Sequence, residues 1–256
     1  QNPVTEEMET HRSMASRRFL IEGTVIVFSI LLAFWIDAWW EESQDREREV
    51  MLLRALLDDV QGMRRGFDSQ RSYNEAILDA TEKLLSAGAS GSTSLSPEDV
   101  DGLLGNVVWY NTYTSWKSAS MDLLVSSGDL ADLSDLNLVQ LLLSLHNRLE
   151  NAQRRYRLDE AFYRDRLIPF LGAHANLPQI LAAIDHAPGV TEWSYEFPDI
   201  HFADKIDHRH LLSDDEFLGL LAAKIDLQHD ILNYSLDDLD ELLDRVIQVL
   251  IANLGE

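Results

Sequence analysis

Five side chains with metal-binding chemistry fall within residues 201–210, the stretch HFADKIDHRH: His201, Asp204, Asp207, His208 and His210. Imidazole nitrogens and carboxylate oxygens suit zinc or a similar ion. The spacing matches no recognised metal motif, however, and the stretch lies in a predicted loop. We therefore interpret it as a solvated polar loop and predict no metal and no cofactor, with a metal-dependent enzyme as the alternative.

Adjacent acidic residues recur along the chain and could perform acid/base chemistry or bind calcium. No EF-hand loop, P-loop, GxSxG or GxGxxG sequence accompanies them. The absence of cysteine also removes thiol nucleophiles and thiolate metal sites. We predict that the protein is not an enzyme and that its acidic residues form a solvated helix face, in particular Asp226, Asp230, Asp237 and Asp240.

Two aromatic clusters could contact a partner. The first lies at a helix connection and contains Trp109, Tyr110, Tyr113 and Trp116. We interpret it as a core plug that holds a loop against a bundle, with a partner anchor as the alternative. The second lies in the most irregular part of the sequence, which favours exposure, and it supplies the predicted extramembrane contacts Trp193, Tyr195 and Phe197.

One long apolar run, Phe19–Trp40, precedes all of these residues. Its length of about 22 residues, at about 1.5 Å each, matches a ~30 Å hydrocarbon core. A basic flank and an aromatic end are typical of a single membrane-spanning helix. The predicted interface anchors are Arg17, Arg18, Trp35, Trp39 and Trp40.

A signal peptide fits this run less well, because the run is long and ends in Trp-Trp-Glu-Glu rather than at a small-residue cleavage site. The arginines closest to the membrane precede the helix, which favours a cytoplasmic N-terminus. The sequence thus predicts a short cytoplasmic segment (1–18), a transmembrane helix (19–40) and an acidic extramembrane helical bundle (41–256). We place the protein in the bacterial inner membrane, with the bundle in the periplasm.

One face of the membrane segment carries small and polar residues at helical spacing: Glu22, Ile26, Ser29, Ala33 and Asp37. Small residues let a second helix approach closely, and polar side chains bond across the contact. We predict that this face docks on other membrane-protein subunits; an anchor that contacts only lipid is the alternative. Glu22 could also relay protons, although an ion pair with Arg18 one turn away explains it as well.

The net charge of −23 lies mostly after residue 40. A surface that acidic repels phosphate backbones, which excludes nucleic acid as a partner, and it repels anionic lipid as well. The bundle should therefore stand off the bilayer or contact a neutral or basic partner.

The spacing of apolar residues predicts long amphipathic helices and no strands. One helix should run from about Ser16 to Ser86, followed by a flexible loop over 87–94 and a helix capped by Ser96. A short helix should end at Gly128, a helix from Asp132 should stop before Pro169, and a last helix should start at a Ser213 capping box and reach Leu254. The fold class is all-α: one transmembrane helix that continues into an up-down bundle of long helices.

The chain resembles a bacterial family of single-span membrane proteins whose function is not characterised. In that family the membrane helix opens with a Gly-Glu pair and closes in Asn/Asp-x-Trp-x-Glu-Glu, and a Ser-Gly-x-Leu stretch follows midway. Ile21-Glu22-Gly23, Ile36–Glu42 and Ser120–Leu130 are similar, with the Glu-Gly order reversed. The resemblance implies a membrane-anchored helical domain and brings no catalytic residues.

Together these features predict a non-enzymatic accessory or scaffolding subunit of a larger bacterial membrane complex, of which respiratory and photosynthetic assemblies are examples. Its partners would be other membrane-protein subunits and the lipid bilayer, and a homo-oligomer is left open. The alternative is a membrane-anchored periplasmic ligand-binding or sensor module, since helical bundles often bind small molecules between their helices.

Overall fold

A computed structural model describes residues 4–91, 94–108, 119–183 and 205–255, with side chains from residue 27 onward except at 131–132. Every regular element in these ranges is helical, and no strand occurs among them. The prediction of an all-α helical bundle is therefore confirmed for this part of the chain. The chain divides into two compact units, Gln1–Leu52 and Leu53–Glu256.

The bounds of the helices follow the hydrophobic pattern closely. Helix α1 covers Val4–Ser90, so the predicted long helix is confirmed as one element that extends further at both ends. The other α-helices are α2 (Pro97–Val108), α3 (Ala119–Ser127), α4 (Leu136–Phe162), α5 (Ile168–His174), α6 (Leu177–Ala182), α7 (Asp215–Ile231) and α8 (Asp237–Leu254). Short 3₁₀ helices cover Asp129–Asp132 and His208–Ser213.

The predicted helix caps are correct for α2 and displaced by one residue for α7. The Ser96 hydroxyl accepts a hydrogen bond from the Asp99 N–H at 3.0 Å, and the Asp99 carboxylate accepts one from the Ser96 N–H at 3.0 Å. This reciprocal pair is a capping box. At α7 the cap is Asp214, which accepts from the Phe217 N–H at 3.0 Å, whereas Ser213 belongs to the preceding 3₁₀ helix.

The prediction that the helix from Asp132 stops before Pro169 is wrong. A π-helical turn, Tyr163–Leu167, joins α4 to α5, and Pro169 lies in the first turn of α5. A proline ring normally clashes with the carbonyl four residues earlier. Here a wider π turn precedes Pro169, and the Ile168 N–H donates to the Tyr163 carbonyl. A second π turn, Leu232–Leu236, joins α7 to α8 and was not predicted.

One apolar cluster of the second unit surrounds the C-terminal end of α1. Leu84 of α1, Leu104 of α2, Leu171 of α5 and Phe217 of α7 are fully buried there in one apolar cluster. The flexible loop predicted from residue 87 is wrong as far as Ser90, because α1 continues through it. Within this last part of α1, a Cβ at Gly88 would lie 2.8 Å from the Leu212 carbonyl oxygen, so only glycine permits so close a contact.

Elsewhere in this unit α4 packs against α8 and α7, and Asn74 of α1 donates a hydrogen bond to the Tyr156 hydroxyl of α4 at 3.1 Å. The predicted leucine stripe of α4 is buried, from Leu138 to Leu149. Arginines of α1 and α4 pair with α8: Arg64 with Asp244 at 3.0 Å, Arg71 with Asp237 at 2.6 Å, and Arg148 with Asp238 at 3.0 Å. The solvated acidic face predicted for α8 is therefore in part an interhelical ion-pair surface.

Candidate functional site

The segment Val27–Trp40 in the first unit, hereafter the apolar segment, exposes its large side chains on every side of the helix. Every large apolar residue in it is between 44% and 67% exposed. The three predicted aromatic anchors are among them, with Trp35 at 66%. Arg17 and Arg18, the predicted basic anchors, lie outside the residues whose side chains are described.

The predicted docking face is in part outside the described side chains as well, since Glu22 and Ile26 precede residue 27. Ser29, Ala33 and Asp37 are described, and all three are exposed. The remaining surface of the apolar segment is exposed to the same degree. Burial therefore does not distinguish the predicted face from the rest of the helix.

No helix among the described residues combines the length and the apolar character needed to cross a membrane. The single transmembrane helix predicted over residues 19–40 is thus not supported by this part of the chain. Its described portion holds Asp37 and is followed directly by Glu41 and Glu42.

The histidine-rich stretch is described from residue 205, so His201 and Asp204 lie outside the described residues. Within the described ranges, no three His, Asp or Glu side chains are grouped so as to hold a metal ion. The interpretation as a solvated loop is wrong for His208, whose side chain is completely buried. His210 is exposed, and Asp207 forms an exposed ion pair with Arg209.

His208 belongs to a buried network that ties three elements together. Its Nδ1 atom lies 2.6 Å from Asp101 Oδ1 on α2, and its Nε2 atom accepts the Asn176 N–H at 3.0 Å. The Gln179 amide on α6 donates to Asp101 Oδ2 at 2.7 Å and bonds both backbone groups of Ile206. The network fastens residues 206–208 to α2 and α6.

An Asp–His pair is also the orienting half of a nucleophilic triad, but this one lacks the geometry to act as a base. In a triad the second ring nitrogen faces the nucleophile. Here that nitrogen is occupied by a backbone N–H, and the ring is closed off from solvent. The arrangement performs a structural role.

A second polar group lies in the core between α4 and α7. Lys224 donates to Asp159 Oδ1 at 2.6 Å, and both side chains are largely buried. One turn further along α7, Gln228 is fully buried and neither its amide nitrogen nor its amide oxygen has a hydrogen-bond partner. A buried amide without partners is costly, which makes Gln228 an unusual feature of the bundle.

Neither aromatic cluster is described, because residues 109–118 and 184–204 lie outside the described ranges. This includes the predicted contacts Trp193, Tyr195 and Phe197. Sequence reasoning missed Asp101, Asn176 and Gln179. Asp101 carried a signal, since it is a charged residue beside Val100 and Leu104 on the apolar stripe of α2, whereas Gln179 carried none.

In comparisons with known proteins, no family model, no curated protein and no solved structure matches this chain.

Proposed function

We propose that this protein is a non-enzymatic accessory or scaffolding subunit that binds and stabilises a larger bacterial membrane protein complex. In this proposal residues 19–40 form its membrane helix, the N-terminus is cytoplasmic and the bundle is periplasmic. Residues 19–26 of that helix precede the described side chains. Respiratory and photosynthetic assemblies are examples of the host.

The proposal rests on one observation, the exposure of the apolar segment on all sides. A helix with one apolar stripe buries that stripe and solvates the rest, whereas a helix that is apolar all round needs an apolar environment on every side. Large contiguous apolar surfaces mark contacts with protein or membrane. Lipid on most sides and a partner helix on one side would cover the exposed apolar side chains of the segment.

The bundle fits a scaffolding role because two of its buried polar pairs connect parts of the bundle to each other. The Asp101–His208 pair and the Lys224–Asp159 pair each link two helices or segments of the same unit. The acidic exterior favours a neutral or basic partner surface.

The test is purification from native membranes in mild detergent through a C-terminal tag, followed by sizing and identification of the proteins recovered. A large complex of fixed composition is expected. Recovery of a lone monomer or a homo-oligomer would overturn the proposal.

A matched pair of variants tests the docking face. Ala33→Leu places bulk on the face that holds Ser29 and Asp37, and we expect it to reduce recovery of the partner. Ala38→Leu adds the same bulk roughly 140° around the helix, at about 100° per residue, and should leave recovery unchanged. Equal recovery with both variants would remove this face from the proposal.

The alternative function, a membrane-anchored ligand-binding module, is favoured by Gln228. Its partnerless amide lies inside a helical bundle, where small molecules often bind between helices. A ligand of this site would raise the melting temperature, and Gln228→Leu would abolish the rise. A panel of amino acids, small amides and carboxylates that leaves the melting temperature unchanged would count against this alternative.

A further inference from the structure

Two histidines of the 3₁₀ helix His208–Ser213 contact the turn between α5 and α6. The turn consists of His174, which ends α5, Ala175, and Asn176, which caps α6. His208 Nε2 lies 3.0 Å from the Asn176 nitrogen, and His210 Nε2 lies 3.1 Å from the His174 carbonyl oxygen. The two imidazoles therefore contact backbone groups of opposite character, a donor and an acceptor, within three residues.

His208 satisfies its contacts only as a neutral ring. Its Nε2 atom accepts a backbone N–H and so carries no proton, while Nδ1 donates its proton to Asp101 at 2.6 Å. A proton on Nε2 would place two donors face to face at 3.0 Å. The bond to Asn176 would then break, and the contact with Asp101 would remain as an ion pair.

His210 satisfies its contacts only as a cation. Nδ1 lies 2.8 Å from the Asp207 carbonyl oxygen, and Nε2 faces the His174 carbonyl oxygen. Both partners are acceptors, so both ring nitrogens must donate, and only imidazolium has two N–H groups. The carbonyl of His174 belongs to the C-terminal end of α5, where a positive charge is favoured.

We propose that His208 and His210 form a proton-sensitive clamp on the α5–α6 turn, closed when His208 is neutral and His210 is protonated. Addition of a proton to His208 releases Asn176. Loss of a proton from His210 releases one of its two carbonyls. Because histidine changes charge between about pH 5 and 8, gain of a proton at His208 loosens the clamp toward acidic pH and loss of a proton at His210 loosens it toward alkaline pH.

The charges around the clamp come from every element packed on it. On the 3₁₀ helix and just before it, Asp207 is paired with Arg209. Hydrogen bonds from Arg209, aided slightly by the charge of His210, lower the pKa of Asp207 to about 2. Asp207 therefore stays ionised between pH 5 and 8. The remaining groups are Glu98 and Asp101 on α2, His174 on α5, Lys205 before the 3₁₀ helix, and Asp214, Asp215 and Glu216 at the start of α7.

The experiment is a nitrogen NMR titration of the full chain with ¹⁵N-labelled histidine between pH 5 and 8, together with hydrogen exchange of the Asn176 amide. We expect His208 to show a bare Nε2 near neutral pH and His210 to show two protonated nitrogens at the acidic end. Protection of the Asn176 amide should fall roughly two- to tenfold as His208 gains its proton, the range of one ordinary hydrogen bond.

Two variants serve as test and control. His210→Gln keeps one donor for the His174 carbonyl and removes the titration, so the alkaline loosening should disappear while the acidic loosening remains. His146→Gln changes a histidine of α4 that faces Glu150 instead. It should leave both the acidic and the alkaline loosening of the clamp unchanged. A proton on Nε2 of His208 at neutral pH, a bare nitrogen on His210 throughout, or an unchanged Asn176 protection would each overturn the proposal.

Discussion

The apolar segment and the core of the second unit contain the same kinds of side chain with opposite exposures. Phe34 in the segment is 67% exposed, whereas Phe67 in the bundle is 1% exposed, although both lie on α1. The difference lies in the spacing. Before Phe67 the apolar residues Val60 and Met63 recur at steps of three and four, and polar residues occupy the remaining faces. Neighbouring helices of the same chain can therefore cover one stripe.

Around Phe34 the helix lacks the broad polar surface that α1 carries around Phe67, and Ser29 and Asp37 are the polar residues between Val27 and Trp40. Leucine, isoleucine, phenylalanine and tryptophan follow one another around the whole helix, interrupted by Asp37 and by small residues. The bundle buries its apolar stripes against its own helices, as at Phe67. The apolar segment exposes its large side chains instead, and this exposure is the basis of the proposed function.

The largest contrast should appear on truncation of these two phenylalanines. Phe67→Ala removes a fully buried ring, and we expect it to lower the free energy of unfolding by about 3–5 kcal/mol. Phe34→Ala removes a ring that contacts little of its own chain and should change the unfolding of the bundle by less than about 0.5 kcal/mol. Denaturant unfolding of the full chain in detergent, followed by a core signal, measures both. Similar losses for the two variants would show that the apolar segment packs within its own chain.

Breaking the buried ion pair tests how far the bundle depends on its internal polar ties. Lys224→Ala leaves Asp159 charged and buried, and we expect a loss of about 3–5 kcal/mol. Lys224→Met fills the same space without the charge, and together with Asp159→Leu it should be close to neutral. The exposed pair Lys83–Asp79 is the control, because its loss costs at most about 1 kcal/mol. A loss at Lys224 no larger than at Lys83 would mean that water reaches the pair.

Gly88 and Gly66 compare a closely packed and an open position of α1. Gly88→Ala drives a methyl group against the Leu212 carbonyl and Leu218, and should cost about 1–3 kcal/mol. Gly66→Ala meets nothing within 4 Å and should stabilise the helix by up to about 1 kcal/mol. Thermal unfolding of the two variants gives opposite shifts. A shift of the same sign would show that the end of α1 can move away from Leu212.

The sequence was sufficient for the helices because their signals are local. The leucine spacing of α4 and the Ser96 capping box depend on residues within a few turns of each other, and the structure confirms both. The π turns were not predictable, because they depend on contacts made elsewhere. Arg155 of α4, for example, donates to the Tyr234 carbonyl at 2.9 Å within the second π turn.

The polar sites were poorly predicted for the same reason. His208 and Asp101 are 107 positions apart. The residue pattern of HFADKIDHRH does not distinguish a buried histidine from a solvated one. Charge pairing across helices was missed in the same way, since Arg71 and Asp237 meet only after α1 and α8 have packed. Apolar periodicity specifies which face is buried, but it does not specify which polar groups become neighbours.

The smallest expected effect concerns acid stability, and it belongs to the surface of the bundle. The hydroxyl and the N–H of Ser96 hold the pKa of Asp99 below its ordinary value. A carboxylate with a lowered pKa stabilises the folded state fully above its ordinary pKa, about 3.9 for aspartate. That stabilisation is lost as the pH falls through the folded-state pKa of Asp99.

Asp99→Asn keeps an acceptor for the α2 cap but cannot titrate. Its unfolding free energy should therefore depend less on pH below about pH 4 than that of the wild type, with little difference at neutral pH. Equal acid dependence of the two proteins would mean that the capping box of α2 is not formed in solution, and it would leave the contrast between the apolar segment and the bundle unaffected.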